Sequence, residues 1–286
     1  MIDSVPDGLQ RFRQGERAAT MSTHRIHIEA LRAVLPTGSE ALLSADEDAD
    51  PVCVTIEGDE FRHAAKAKRR RVGDSVVLFD GRGLVARGIV TTIGSRAMTV
   101  TVQRAREVGR LRPEIVMAVP PPKGTKPEVM VDQLSQVGVG VWVPLITERT
   151  IVKPRDGKQE RWGRVAVESA KQSGRSWVME ITEPVPVSEF GAWVAREYGT
   201  GPDVLFVVAD PMGTKPREIM GQAGFSADRI VMVVGPEGGL SPGDDAVIES
   251  WGKPVVRLRV APHVLRVGTA AVVAASIGRA VLWGGA

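Results

Sequence analysis

The chain has 286 residues, of which 43% are hydrophobic, so it is long and apolar enough to form a small domain and a larger one. Its single cysteine, Cys53, and four scattered histidines exclude an internal disulfide framework and provide no metal-site spacing, and we expect a cytoplasmic protein without a metal. The net charge of +3 neither requires nor excludes nucleic acid, because the decisive property is whether basic residues cluster.

The N-terminal residues 1–22 show no sustained hydrophobic period and are predicted to form a flexible tail. They lack the apolar region of a signal peptide. The longest late apolar run, residues 270–283, is too short to span a bilayer and contains Arg279. We therefore expect a soluble protein with no membrane partner.

Short β-type runs follow within residues 23–110, which are predicted to form a small β-barrel domain. Glycine-containing turns separate the runs at the spacing of a small barrel. The runs are residues 52–56, 75–79, 84–92 and 97–102. Between the first two runs, residues 60–71 are predicted to form a short helix.

This predicted helix carries a dense basic cluster, with five cations in six residues: Lys66, Lys68, Arg69, Arg70 and Arg71. Such a cluster has two interpretations. It is either a solvated basic face or a surface that contacts RNA phosphates. The second interpretation becomes the favoured one when the rest of the chain is taken into account.

From residue 113 to residue 286 strands and helices alternate, after a linker at residues 110–113. This βαβ repetition predicts an α/β domain with a parallel sheet that helices cover on both faces. The predicted strands are residues 115–119, 141–146, 204–208, 230–234 and 255–260, and the predicted helices are residues 126–137, 159–172, 188–197, 242–251 and 270–283.

Two irregular loops follow the last two strands. Residues 234–239 form a glycine-rich turn before a helix that Ser241 caps, and residues 260–266 precede the last helix. Because ligands of open α/β folds bind at the carboxyl edge of the sheet, the two loops predict a small-molecule pocket. A plain strand-to-helix turn without a ligand is the alternative for the glycine-rich loop alone.

The two loops resemble a known family, the RsmE-type RNA methyltransferases of the SPOUT class. The motifs are GPEGGLS at residues 235–241 and Leu-Arg-x-x-Thr-Ala at residues 265–270. The N-terminal part contributes His63, Arg69, Gly73-Asp74 and Leu-Phe-Asp-Gly at residues 78–81, so that the resemblance covers residues 50–285. It implies a C-terminal SPOUT-like parallel sheet with a trefoil knot, a small N-terminal PUA-like β-barrel, and a homodimer.

The resemblance also implies an activity, the methylation of N3 of a uridine in 16S ribosomal RNA or the small ribosomal subunit, with S-adenosyl-L-methionine as cofactor. The cofactor-binding residues are expected to be Ala209, Pro211, Val234, Gly235, Pro236, Glu237, Gly238, Gly239, Val260, Pro262, Val264, Leu265 and Arg266. Glu237 is a candidate general base, or a cap for its own loop, and Arg266 is a candidate stabiliser of the developing anion.

The predicted RNA-binding residues are basic: Lys66, Lys68, Arg69, Arg70, Arg149 and Arg175. For Arg149 and Arg175 the alternative is an ion pair with a nearby carboxylate such as Glu148 or Glu168. Several positions depart from the family pattern, namely Gln133, Gln136, Lys171, Ala261, His263 and Gly268. These departures leave open the alternative of an RNA-binding protein without turnover. A ribose 2′-O methyltransferase is a further alternative, against which the basic N-terminal barrel and the GPEGGLS motif argue.

Overall fold

The computed structural model describes residues 24–35, 51–67, 70–123, 126–151, 157–199, 201, 203–220 and 227–282, without the side chains of residues 65–67, 219–220 and 281–282. The predicted tail, residues 1–22, lies outside these ranges. The described residues form two compact units. The first contains the chain up to Gly109 together with Lys171–Trp177, and the second contains Arg110–Ala170 and the chain from Val178 onward.

The first unit is built on a five-stranded sheet with the strand order β1-β3-β4-β5-β2. Strands β1 and β3 pair in parallel, and the other neighbours are antiparallel. The strands are β1 (His24–His27), β2 (Cys53–Glu57), β3 (Ser75–Phe79), β4 (Leu84–Ile93) and β5 (Ala97–Glu107), and a short helix α1 (Leu31–Val34) follows β1.

The core of this unit lies on one face of the sheet. Leu84, Ala86 and Val90 of β4 are buried there with Met98 and Val100 of β5, at alternate positions as a half-buried strand requires. The pairing shifts by one residue where β4 passes from Arg87 to Gly88, so β5 carries a bulge at that point.

The predicted helix over residues 60–71 is shorter in the structure. Helix α2 (Gly58–Phe61) continues as a π-helix (Arg62–Ala67), and Phe61 and Ala64 anchor it in the core. Lys68 and Arg69 lie outside the described residues.

The second unit is built on a seven-stranded sheet. Its strand order is β12-β10-β11-β6-β7-β8, and β9 also pairs with β7. The strands are β6 (Glu114–Val119), β7 (Val141–Ile146), β8 (Glu180–Ile181), β9 (Val185–Pro186), β10 (Val204–Thr214), β11 (Arg229–Val233) and β12 (Val255–Leu258). Each pairing is parallel, which confirms the parallel sheet predicted from the sequence.

Helices cover both faces of this sheet. They are α3 (Lys126–Gln136), α4 (Lys158–Ser173), α5 (Val187–Tyr198), α6 (Pro216–Met220), α7 (Pro242–Glu249) and α8 (Val267–Leu282). No helix of the described residues is both long enough and apolar enough to cross a membrane.

The continuous apolar sequence of β6 is explained by these two layers. Ile115 and Met117 pack into one core with Met130 of α3 and Ala271 of α8, whereas the alternate residues, such as Val116, pack into the other core. A strand that is buried on both faces has no polar side, so its sequence reads as an unbroken apolar run.

Two buried tryptophans mark the first of these cores. The rings of Trp142 on β7 and Trp162 on α4 are 4.8 Å apart in a tilted arrangement, and the indole N–H of Trp142 donates to the carbonyl oxygen of Val119 at 3.1 Å. The hydrogen bond satisfies the one polar group that burial of this ring removes from water.

Strand β10 differs most from its prediction, because it extends to Thr214 rather than ending at Val208. Its pairing with β12 is irregular between Ala209 and Thr214. Pro211 falls in this irregular part, where a missing backbone N–H costs no ladder hydrogen bond.

Lys171, one of the departures from the family pattern, forms a buried ion pair in the first unit. Its ammonium group lies 2.8 and 3.0 Å from the two carboxylate oxygens of Glu60. The Lys171 side chain is 7% exposed and that of Glu60 is 27% exposed. The carboxylate therefore balances the positive charge at a position where water contributes little.

We expect Lys171→Ala to lower the free energy of unfolding by roughly 2–3 kcal/mol, because Glu60 would keep a partly buried charge without this partner. Glu60→Gln combined with Lys171→Met should recover most of that loss. Urea denaturation of Lys171→Met, Glu60→Gln and the double variant measures the coupling between the residues. Strictly additive changes in the free energy of unfolding would show that Glu60 and Lys171 do not interact.

Candidate functional site

A cavity of about 280 Å³ opens in the second unit at the carboxyl ends of β11 and β12 and at the end of the regular part of β10, which lies between them. Parallel pairing brings these ends to the same edge of the sheet, so the segments that follow them meet. The cavity is lined by Val208, Ala209, Asp210, Pro211, Val234, Gly235, Pro236, Glu237, Gly239, Leu240, Asp245, Arg257, Val260, Ala261, His263, Val264, Leu265, Val267 and Ala270.

The structure brings most of the predicted cofactor-binding residues together around this cavity. Those that line it are Ala209, Pro211, Val234, Gly235, Pro236, Glu237, Gly239, Val260, Val264 and Leu265. Gly238, Pro262 and Arg266 belong to the same loops but are not lining residues, and all three are exposed.

The first wall is the glycine-rich loop after β11. The N–H of Gly239 donates to the carbonyl oxygen of Pro236 at 2.8 Å, which closes a tight turn with Gly239 at a positive φ of 71°. A Cβ atom on Gly235 would lie 3.0 Å from the nitrogen and 3.1 Å from the Cγ of Leu240. A side chain at Gly235 would therefore require Leu240 to shift by a few tenths of an ångström.

Helix α7 fixes the far end of this loop through a buried capping box. The Ser241 hydroxyl accepts from the Asp244 N–H at 3.0 Å, and the Asp244 carboxylate accepts from the Ser241 N–H at 2.9 Å. Ser241 is the predicted N-cap, and the structure confirms it.

A second loop, residues 147–150 after β7, supports the glycine-rich loop from outside the cavity. The backbone N–H of Glu148 donates to Asp244 at 3.2 Å. The guanidinium of Arg149 donates to the carbonyl oxygen of Gly238 at 2.8 Å and more weakly to that of Leu240 at 3.5 Å. Arg149 therefore contacts the backbone of the predicted cofactor loop rather than a neighbouring carboxylate.

The second wall is the segment after β12, and its backbone is stabilised by hydrogen bonds from Arg259. The side chain of Arg259 donates to the carbonyl oxygens of Ala261 and Pro262 at 3.3 and 3.2 Å. The N–H of Ala270 donates to the carbonyl oxygen of Arg266 at 2.8 Å, at the beginning of α8. Side-chain and helix contacts thus fix both ends of this irregular segment.

Arg257 is the central charged residue of the cavity wall. Its guanidinium lies 3.3 Å from Asp210, 3.0 Å from Asp245 and 3.3 Å from Glu249. Burial by itself would lower the pKa of Arg257, but the hydrogen bonds and charges of Asp245 and Asp210 outweigh burial and raise that pKa above its ordinary value.

The sequence interpretation did not single out Arg257, Arg259 or Asp245. A signal for the two arginines was present, because they alternate with apolar residues in the run VVRLRV, where a strand buried on both faces would be apolar throughout. No local signal marks Asp245 as an acceptor for an arginine twelve residues later.

The two candidate catalytic residues occupy different places. Glu237 is exposed and lines the cavity, next to the turn that Gly239 closes. Arg266 is also exposed and follows the lining residue Leu265.

The predicted RNA-binding residues of the first unit are only partly described. The Lys66 side chain, Lys68 and Arg69 lie outside the described residues. Arg70 is 22% exposed and lies 3.7 Å from Asp74. The carbonyl oxygen of Arg175 accepts a hydrogen bond at 2.8 Å from Arg25, whose pKa burial lowers to about 10.

The remaining departures from the family pattern divide between the cavity and α3 or α8. Ala261 and His263 line the cavity. Gln133 and Gln136 are exposed on α3, and Gly268 on α8 faces Met130, whose Cβ would lie 3.8 Å from a Cβ at that position. Within the described ranges, no group of three histidine, cysteine or acidic side chains is arranged to hold a metal ion.

Comparison with known proteins relates both parts of the chain to RNA modification. Residues 110–279 match the model of an RNA methyltransferase domain, and residues 56–103 match that of an RNA methyltransferase PUA domain. Ribosomal RNA small subunit methyltransferase E of Mycobacterium bovis is 30% identical over 77% of this chain and 83% of its own length. The protein of the same name from Synechocystis is 29% identical over 78% of this chain and 74% of its own.

A solved structure has the same fold. It is a ribosomal RNA small subunit methyltransferase E from Neisseria gonorrhoeae bound to S-adenosyl methionine. It aligns with a TM-score of 0.72 over 91% of this chain and 98% of its own, at 18% identity. The likeness confirms the predicted fold class, an α/β domain combined with a small N-terminal β domain.

We expect Arg149→Ala to loosen the glycine-rich loop, because the carbonyl oxygens of Gly238 and Leu240 would lose their donor. Amide hydrogen exchange at Gly239 should accelerate by about five- to tenfold, equivalent to about 1 kcal/mol for an exposed hydrogen bond. Arg164→Ala is the matched control, since Arg164 is an exposed arginine that pairs with Glu160. Equal exchange rates in the two variants would show that Arg149 does not hold the loop.

Proposed function

The chain belongs to the RNA methyltransferase family that includes ribosomal RNA small subunit methyltransferase E, and from this membership we propose that it methylates N3 of a uridine in 16S ribosomal RNA with S-adenosyl-L-methionine as methyl donor. The observation that carries the proposal is the cavity where the regular parts of β10, β11 and β12 end, which two irregular loops of the matched domain enclose.

The lining residues suit this cofactor. When bound, S-adenosylmethionine supplies an electrophilic methyl group on a positively charged sulfur. Three carboxylates line the cavity, those of Asp210, Glu237 and Asp245, against one guanidinium, that of Arg257. Their excess of negative charge favours a cationic ligand.

Apolar side chains and backbone groups provide the rest of the site. Val234, Val260 and Leu265 offer an apolar surface for a planar base, and the two loops present backbone N–H and C=O groups that can select polar edges. The hydrogen bonds of Arg149 and Arg259 hold these loops in place before any ligand arrives, so binding costs less conformational entropy.

Removal of the N3 proton of a uridine requires a base or a group that stabilises the anion. We assign the base to Glu237, because its carboxylate lines the cavity from a loop that its neighbours fix. Arg266 is the candidate for stabilising the anion, since it directly follows Leu265 and its side chain is free to turn toward a bound base. Proximity of the donor and the target base would supply most of the rate.

Further features of the proposal come from the family resemblance. They are a PUA-like RNA-binding domain over residues 23–110, a methyltransferase domain over residues 113–286 with a trefoil knot, a homodimer, and action in the cytoplasm. The match of residues 56–103 to an RNA methyltransferase PUA domain supports the first of them. Basic side chains such as Arg70, Arg149 and Arg175 would then bind RNA phosphates.

Small ribosomal subunits that lack the modification provide the direct test. They are incubated with the protein and S-adenosylmethionine, the RNA is digested to nucleosides, and the products are identified by mass spectrometry. We expect 3-methyluridine. A 2′-O-methylated nucleoside would favour the ribose methyltransferase, and bound but unmodified RNA would favour an RNA-binding protein without turnover.

We expect Gly235→Ala to weaken S-adenosylmethionine binding by more than tenfold in calorimetric titration, because the new Cβ would push Leu240 and the loop out of position. Gly238→Ala is the matched control in the same loop. Its Cβ would lie 3.5 Å from the Arg149 side chain, an ordinary contact, and the affinity should change little. An unaffected Gly235→Ala would show that this loop does not hold the cofactor.

We expect Glu237→Gln to lower kcat by about 10²- to 10⁴-fold, since general-base catalysis contributes that much. Affinity for S-adenosylmethionine should stay within a few fold, because the amide keeps the shape of the carboxylate. Single-turnover methylation separates the chemical step from binding. An unchanged kcat would show that Glu237 is not the general base.

A further inference from the structure

One charged cluster in the cavity wall has no individual role in the proposed reaction. It joins Asp210, in the irregular part of β10, to Arg257 on β12, and Arg257 in turn contacts Asp245 and Glu249 on α7. Asp210, Asp245 and Arg257 line the cavity, whereas Glu249 is exposed and is not a lining residue. The cluster therefore connects the wall formed by β10 with one face of α7.

Two hydrogen bonds and a close backbone approach hold Asp210 in position. One carboxylate oxygen accepts from the N–H of Met212 at 2.8 Å, and the other accepts from the guanidinium of Arg257 at 3.3 Å. Further along the same segment, a Cβ atom on Gly213 would lie 2.6 Å from the carbonyl carbon and oxygen of Arg257, so the segment packs directly against β12. A carboxylate that is held in this way loses little conformational entropy when it binds a ligand.

The Asp210 carboxylate retains acceptor capacity that the protein does not use. A carboxylate offers about four acceptor positions on its oxygens, and Met212 and Arg257 occupy one position on each oxygen. The side chain is 23% exposed and the residue lines the cavity, so a ligand in the cavity can reach the remaining positions.

The charge of Asp210 is already balanced by Arg257, which remains protonated at any ordinary pH. A carboxylate with a guanidinium partner gains less from a second cation than an unpaired carboxylate does, because the two charges of the pair largely cancel at a distance. It remains a strong acceptor for neutral O–H donors, since hydrogen bonds to an ionised group are stronger than those between neutral groups. Hydroxyl groups are therefore the donors that suit Asp210 best.

We propose that Asp210 binds the ribose hydroxyl groups of the adenosyl cofactor and that Arg257 is a positioning residue for this carboxylate. The inference rests on the proposed function, in which S-adenosylmethionine occupies this cavity. The 2′- and 3′-hydroxyl groups of a ribose are neighbouring donors, and an acidic side chain accepts from a ribose hydroxyl in dinucleotide-binding α/β folds. The apolar lining residues Val234, Val260 and Leu265 remain available for the adenine ring.

Calorimetric titration with cofactor analogues tests this contact. The full chain is titrated with S-adenosylmethionine and with its 2′-deoxy and 3′-deoxy analogues. We expect at least one analogue to bind about tenfold to a hundredfold more weakly, because a hydrogen bond to a charged group is lost. In Asp210→Ala, all three ligands should bind equally within about twofold, because the acceptor is absent. A purely structural disturbance of the wall would instead weaken all three ligands alike and leave the ratio of their affinities unchanged.

The matched control is Glu249→Gln, which removes the charge of an exposed partner of Arg257 and leaves the lining carboxylates in place. Its ratio of affinities should equal that of the unchanged chain. Two variants test the positioning role of Arg257 and do not alter Asp210 itself. The ratio should fall in Arg257→Gln and be restored in part in Arg257→Lys, because lysine keeps a cationic donor beside Asp210.

The outcomes separate this contact from the proposed function. Equal binding of the three ligands by the unchanged chain, or an unchanged ratio in Asp210→Ala, would overturn the ribose contact and leave the proposed function intact. An Asp210→Ala variant that weakens all ligands alike would show that the carboxylate only supports the wall. A chain that binds none of the three ligands would overturn the proposed function, and the ribose contact with it.

Discussion

Parallel pairing of β10, β11 and β12 is the constraint on which the candidate site depends. It sends three strand ends to one edge of the sheet, so the chain must turn three times in a small volume. The irregular segments at these strand ends enclose a cavity. The site therefore follows from the order of the strands before any individual side chain is considered.

Rigid supports outside the cavity hold its irregular walls in shape. The capping box of Ser241 and Asp244 anchors one end of the glycine-rich loop, and Arg149 holds the carbonyl oxygen of Gly238. Arg259 does the same for the second wall. Each support uses a charged or buried group to fix backbone atoms, so the lining residues remain available to a ligand. This division between lining and support explains why Arg149 and Arg259 lie beside the site without lining it.

The elements of the second unit could be predicted because apolar runs and capping residues are local signals. The run at residues 230–234, the turn GPEGGLS and the cap at Ser241 all appear in the structure as expected. Contacts between distant residues could not be predicted in this way. Arg149 bonds to an acceptor 89 residues away, and Arg257 bonds to an acceptor 47 residues away. The extension of β10 through Pro211 was missed because proline ordinarily indicates a turn.

The placement of the tryptophans gives the two units different optical signatures. The chain has six tryptophans, and of these only Trp177 falls in the first unit, whereas Trp142 and Trp162 contact each other in the core of the second. Indole emission is thus dominated by the second unit. With Trp177 replaced by phenylalanine, fluorescence would follow the unfolding of the second unit alone, and circular dichroism would follow both. A comparison of the fluorescence and circular dichroism transitions would therefore show whether the two units unfold together.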